Sequence, residues 1–216
     1  MKTKLFIDFD NTLYDTRFLK NNLFEVLENK GFSKAEVLAT YEKASSNYNY
    51  SPKSHLGELL KVRNFNSKAT EAIIESLYLD AQEHLFKDTI DFLKSLDRTK
   101  FEVDLLTLGN SEFQKRKVEA SGIDGYFDRI YYCEDQKWIF LKTLVKKDEK
   151  FFVIDDRNDA LYKICEEFKN CIPLEINRTE KPLDPMEKPS PYRGVSIKKI
   201  DEAIPYLEEE QDARAT

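Results

Sequence analysis

Short apolar runs that stop abruptly at a polar residue recur along this chain. Thr3-Lys4-Leu5-Phe6-Ile7 ends in Asp8, Phe101–Leu106 ends in Thr107, and Phe151–Ile154 runs into Asp155-Asp156. Asp128–Tyr132 is a shorter example, and Cys171–Ile176 a weaker one because Pro173 removes a backbone donor. Between these runs the apolar spacing changes to that of helices, over Ser111–Ser121, Lys137–Lys146, Arg157–Phe168 and Ile197–Glu209. Strands alternating with helices of this length predict an α/β fold, a parallel sheet covered on both faces. Ligands of such sheets bind beyond the carboxyl ends of the strands. Asp8, Thr107 and Asp155 all fall there.

Residues 16–87 break the alternation. Helical patterns cover Thr16–Asn29, stopped by Gly31, then Lys34–Ser45, opened by the capping box Ser33-x-x-Glu36, and finally Ala69–Phe86. No strand pattern interrupts them. The chain therefore divides into a core, residues 1–15 and 88–216, and an inserted helical domain, residues 16–87. Ser45–Pro52 has the composition of a loop. Five of the seven prolines lie between Pro173 and Pro191, which marks residues 177–193 as an extended surface loop.

Composition narrows the function classes. The 34 Lys and Arg against 40 Asp and Glu leave a net charge of −6, which argues against a broad nucleic-acid-binding face. Three cysteines, Cys133, Cys165 and Cys171, form no CxxC pair and no disulfide framework, as expected of reduced thiols in a cytoplasmic protein. No stretch approaches the roughly 20 apolar residues of a membrane span. Neither Cys133 nor Cys165 opens a C-x5-R phosphatase loop, and no Gly-rich Lys-Ser/Thr nucleotide loop occurs.

The strongest local signal is Asp8-Phe9-Asp10-Asn11-Thr12-Leu13. Two carboxylates at i and i+2 beyond a buried strand repel each other when both face a crevice. A divalent cation resolves the conflict, because magnesium takes oxygen ligands and favours one or two carboxylates plus phosphate. Such a pair alone reads more readily as a polar turn after a strand. Here Asp155-Asp156-Arg157-Asn158-Asp159 adds carboxylates after another strand, and Thr107-Leu108-Gly109-Asn110 adds a hydroxyl and a flexible backbone suited to phosphate oxygens. Lys137, opening a helix after the third strand, adds a cation.

In these residues the chain resembles the haloacid dehalogenase (HAD) superfamily, in its phosphatase branch with a helical cap between the first and second motifs. The DxDxT motif is matched at Asp8, Asp10 and Thr12, the second motif at Thr107, and the acidic fourth motif at Asp155, Asp156 and Asp159. The third motif is a single lysine, Lys137 or, failing that, Lys142. The resemblance implies a Rossmann-like core and a magnesium-dependent phosphohydrolase acting on a small phosphorylated metabolite. Asp8 would be the nucleophile and Asp10 the general acid and base. Magnesium would be held by Asp8, the Asp10 backbone carbonyl and Asp155. Thr107 and Lys137 would hold phosphate oxygens, with Thr12, Asn110, Asp156 and Asp159 in support, Asp159 orienting a metal-bound water or Lys137.

An acid at Asp10 favours esters over halides, since an alkoxide needs a proton on leaving. In the implied cap, the inter-helix segment with Tyr48, Asn49, Tyr50, Lys53 and His55 is expected to reach the leaving group. A phosphotransferase or phosphomutase would use the same Asp8/Asp10 pair, and a catalytically silent binding protein would share the fold. The substrate and the oligomeric state are not legible.

Overall fold

The computed structural model describes residues 2–45, 49–62, 67–178 and 194–212. Six parallel strands form one sheet in the order β3-β2-β1-β4-β5-β6: β1 Thr3–Ile7, β2 Phe101–Leu108, β3 Arg129–Cys133, β4 Phe151–Asp155, β5 Cys171–Ile176 and β6 Val195–Ile197. This is a Rossmann-like α/β fold. Alternation along the strands divides the core. Leu5, Ile7, Val103, Leu105, Phe152 and Ile154 join the cluster that continues into the helical insertion. Phe6, Leu106, Phe151 and Val153 pack on the opposite face with Leu141 of α7 (Lys137–Leu144) and Leu161 and Ile164 of α8 (Asn158–Glu167). Burial on both faces is why these strands read as continuous apolar runs.

Between β1 and β2 the described chain folds into α1 (Thr16–Asn29), α2 (Lys34–Ala44), α3 (Pro52–Val62), α4 (Ser67–Ser76) and α5 (Thr89–Ser95). The Ser33/Glu36 capping box starts α2 as expected, with the Ser33 N–H donating to Glu36 at 2.7 Å. Three expectations need correction. The loop reading around Lys53 and His55 fails, because Pro52 opens α3 at a position where a proline costs no helical hydrogen bond. The helix expected over Ala69–Phe86 stops at Ser76, and a 3₁₀ turn at Ala81–His84 follows. Leu79, within that span, is 79% exposed. The helix expected from Ile197 begins only at Ile204, as α9 (Ile204–Asp212), because Val195–Ile197 pairs with β5 as an edge strand. Most of the proline-rich segment, residues 179–193, lies outside the described residues.

The two crossings between core and insertion are laced together. Phe86 N–H donates to Leu13 O at 3.0 Å, Asp15 N–H to His84 O at 2.8 Å, and the Thr89 hydroxyl to Leu13 O at 2.9 Å. Arg178 adds a strut, reaching Thr12 O at 2.8 Å and the Asp88 carboxylate at 2.9 Å. No helix among the described residues is long and apolar enough to cross a membrane. The three cysteines are free thiols.

One buried carboxyl is independent of the site. Asp104 lies within β2, is 1% exposed, and neither side-chain oxygen has a hydrogen-bond partner among the described residues. Burial, reinforced by the charge of Glu102, pushes it up to about 6. A carboxyl raised on folding contributes stability that is present below its unfolded value and lost as pH rises through the folded one. Asp104→Asn, which mimics the protonated acid, is therefore expected to stabilise the protein at pH 8 by about 2 kcal/mol and to be close to neutral at pH 4. Thermal melts at both pH values test this, and an equal shift at the two would contradict it.

Candidate active site

Asp8 follows β1 directly, and its N–H donates to Ile154 O of β4 at 2.9 Å, tying the two strand ends together. Ile7 and Ile154 are paired in register, so the next residues, Asp8 and Asp155, emerge side by side. This is the point where the strand order reverses, the customary crevice of such sheets. Lys137, the first residue of α7, enters between them. Its ammonium donates to Asp8 Oδ1 and to Asp155 Oδ2, each at 2.5 Å, and all three side chains are buried. Asp155 Oδ1 also accepts the Arg157 N–H at 2.8 Å, which fixes the carboxylate plane.

Asp156 completes a group of three carboxylates whose oxygens lie within 4.8 Å of one another. Burial raises Asp8 to about 7, with Lys137 opposing the rise and Asp155 and Asp10 adding to it. Burial, together with Asp8 and Asp155, lifts Asp156 well above the ordinary carboxylate range. With all three ionised, the one ammonium would leave two negative charges uncompensated in a poorly solvated place, which is why burial raises Asp8 and Asp156 in the metal-free protein. Asp8 Oδ2 is buried with no hydrogen-bond partner among the described residues. An oxygen-only donor set, an excess of two charges and an orphaned carboxylate oxygen fit a divalent metal of the magnesium kind. The Thr107 hydroxyl, near the end of β2, is likewise buried without a hydrogen-bond partner among the described residues.

Asp10 is held apart from that group. Its Oδ1 accepts from the Thr16 hydroxyl of α1 and from the Lys117 ammonium, and its Oδ2 accepts from Gln114 Nε2 at 2.6 Å. Gln114 and Lys117 belong to α6 (Ser111–Ser121), the helix after β2. Burial alone would raise Asp10, but the charge and hydrogen bond of Lys117, with bonds from Thr16 and Gln114, hold it below its ordinary value. The turn that carries Asp10 passes through Asn11 at φ 58, a left-handed conformation that asparagine tolerates well.

The other expected residues fall as follows. Thr12 is buried and its carbonyl accepts from Arg178. Asn110 caps α6 through Phe113 N–H at 3.0 Å and donates to Asn49 of the insertion at 2.9 Å, so both ends of its amide are engaged away from a phosphate. Asp159 is 62% exposed and forked by Arg157 at 2.6 and 3.1 Å, whereas the Lys137 ammonium is shared by Asp8 and Asp155. The expectation that Asp159 orients Lys137 is corrected: one residue into α8, it turns to the surface. Lys142 pairs with Glu167 on the surface at 2.7 Å. Asp156, expected only in support, stands within the carboxylate group.

In the insertion, Tyr48 lies outside the described residues and Lys53 is exposed on α3. His55 is fully buried inside the helical insertion, its Nε2 donating to Val37 O at 3.0 Å and its Nδ1 accepting from the Tyr50 hydroxyl at 3.3 Å. It is a packing residue, not one that reaches inward to a leaving group. Tyr50, with Leu19, Leu23, Tyr41, Leu77, Phe113 and Thr16, instead lines an apolar cavity of about 50 Å³ where insertion and core meet.

Sequence reading missed Gln114, Lys117 and Thr16. Gln114 and Lys117 are three apart on one helical face, among the buried Phe113 and Val118. A lysine on the apolar face of a helix that follows a site-bearing strand is the signal that was there to find.

The family model of haloacid dehalogenase-like hydrolases matches residues 5–161, and the chain belongs to that family. It is thus a hydrolase of the HAD type. No curated protein matches the chain. Among solved structures, a haloacid dehalogenase-like hydrolase from Burkholderia xenovorans aligns over 98% of both chains at 16% identity, with a TM-score of 0.79. The HAD-hydrolase YfnB from Bacillus subtilis, bound to magnesium, covers 95% of this chain and 98% of its own at 17% identity and a TM-score of 0.61. L-2-haloacid dehalogenase from Xanthobacter autotrophicus covers 97% and 99% at 10% identity and 0.64. At these identities the likeness is one of fold.

Proposed function

We propose that this hydrolase cleaves a small phosphomonoester, with magnesium, through an aspartyl-phosphate on Asp8. The observation that carries the reading is the Asp10 carboxyl, two residues beyond the nucleophile and held outside the three-carboxylate group. An alkoxide needs a proton as it leaves, whereas a halide is a stable anion and needs none. A carboxyl kept free of the metal group therefore suits ester cleavage.

In the first step an Asp8 oxygen bonds to phosphorus, the ester P–O bond breaks, and its electron pair stays on the leaving oxygen, which takes a proton from Asp10 once that carboxylate, ionised beside Lys117 in the free protein, has taken up a proton with the bound ester. In the second, water attacks phosphorus and gives its proton to Asp10, and the bond between phosphorus and Asp8 breaks. Lys137 holds the Asp8 carboxylate in place, and the Thr107 hydroxyl donates to a phosphate oxygen. Magnesium held by Asp8, Asp155 and Asp156 would offset the repulsion between the nucleophile and the incoming phosphate. The helical insertion serves as a cap over this crevice, with its Thr16 reaching the Asp10 carboxylate and its Asn49 the Asn110 amide.

Dehalogenation is the second reading, favoured by the haloacid dehalogenases among the structural neighbours. A panel of small phosphate esters and 2-haloacids, assayed for phosphate and halide release with magnesium or EDTA, separates the two. Phosphate release that EDTA stops is expected. Halide release indifferent to EDTA, with no phosphate released, would overturn the proposal. Stoichiometric free phosphate would also set aside a mutase.

A further inference from the structure

Two buried lysines divide three of the four carboxylates of this site between them. Lys137 serves Asp8 and Asp155, and Lys117 serves Asp10. Lys117 is 0% exposed, and its ammonium is surrounded by the rings of Phe113, Phe9 and Tyr14 at 4.6, 5.4 and 5.9 Å. So enclosed, its ammonium has Asp10 Oδ1 as its hydrogen-bond partner among the described residues. Gln114 works on the other oxygen. Its Nε2 donates both to Asp10 Oδ2 at 2.6 Å and to Leu108 O at 2.8 Å, which anchors the amide to the end of β2. Space for that amide depends on Gly109: a Cβ there would lie 2.7 Å from Gln114 Nε2, and the glycine has φ 142.

We infer that Lys117 and Gln114 are positioning residues that hold the Asp10 carboxyl apart from the three-carboxylate group and so keep it out of the metal's coordination and available for acid–base work. Asp8, Asp155 and Asp156 form a group open to a cation, and an untethered fourth carboxylate two residues from Asp8 would be drawn into it. A carboxylate captured by the metal cannot deliver a proton to the leaving group. The inference rests on the phosphohydrolase reading, and its signature is dependence on the leaving group.

The test compares kcat/KM for p-nitrophenyl phosphate, whose leaving group departs without a proton, and p-nitrobenzyl phosphate, whose alkoxide requires one. This parameter reports transfer to Asp8 and departure of the leaving group, not the later hydrolysis. Lys117→Met is expected to lower the value for the benzyl ester about 10²-fold and that for the nitrophenyl ester less than roughly 5-fold. Gln114→Met is expected to show the same selectivity at about 10-fold, and it carries the test should Lys117→Met melt as an unfolded chain. Wild type that hydrolyses both esters, with variants that slow both equally or neither, would overturn the inference and leave the phosphohydrolase reading standing. Wild type that hydrolyses neither ester would overturn both.

Discussion

Asp8→Asn is expected to lose phosphate release by roughly 10⁴-fold or more, the scale seen when a covalent nucleophile is removed. The substitution keeps the shape and buried position of the side chain and removes only its charge and nucleophilic oxygen. Asp8 Oδ1 is occupied by Lys137, while Oδ2 is buried and has no hydrogen-bond partner among the described residues. An asparagine amide nitrogen cannot attack phosphorus, so no neighbouring group restores the step. Asp155 still pairs with Lys137 in the variant, so the fold is expected to persist. Single-turnover reactions quenched in acid and read by intact mass should show a phosphorylated wild type and an unmodified Asp8→Asn. A variant that retained a tenth of wild-type turnover would move the nucleophile elsewhere.

Lys137→Met is expected to have the second-largest effect, on stability as well as rate. It leaves Asp8, Asp155 and Asp156 close together with no cation in the metal-free protein. Removing one partner of a buried ion pair typically costs about 3–5 kcal/mol. The loss has a definite pH dependence. Asp8 already stands at about 7 on folding, raised by burial despite Lys137. Its favourable contribution is therefore complete below the ordinary carboxylate range and lost as pH rises through about 7. Without Lys137 this rise steepens, so the variant should approach wild-type stability in acid and fall furthest behind it at alkaline pH. Magnesium binds only the folded state and should recover part of the deficit. Melting temperatures at pH 5 and 8, with magnesium or EDTA, give all four values. Turnover should fall by roughly 10²–10³-fold, the usual effect of losing one charged donor to a transferring group. Equal destabilisation at both pH values would mean that Lys137 acts through packing alone.

Much of this site was legible because it is built from strand ends. A buried strand that stops at Asp8, Thr107 or Asp155 has only one direction in which to place the polar residue, and parallel strands bring those ends together. Lys137 belongs with them because it opens a helix at the same edge of the sheet. The helical insertion was less legible. Ser51-Pro52 serves equally as a turn or as the start of a helix, and only the burial of His55, Leu56 and Leu59 against α2 and its neighbours decides for α3. The apolar spacing of Ile73, Leu77 and Ala81 continues past Ser76, but the chain must turn back to lace His84 and Phe86 onto the first crossing. That return, not propensity, ends the helix.

The sequence by itself determined the class of fold, the edge at which chemistry occurs and the carboxylates that gather there. These follow from periodicity and from the cost of ending an apolar strand on a charge. Tertiary structure alone decided how the charges are shared. It drew Asp156 into the metal-fit group, sent Asp159 to Arg157 on the surface, and buried His55 within the insertion. It also brought Lys117 and Gln114, more than a hundred residues away in the chain, onto Asp10. The physical reason is that a buried charge takes its counterion from whichever element packs beside it, and no local pattern of residues records which element that is.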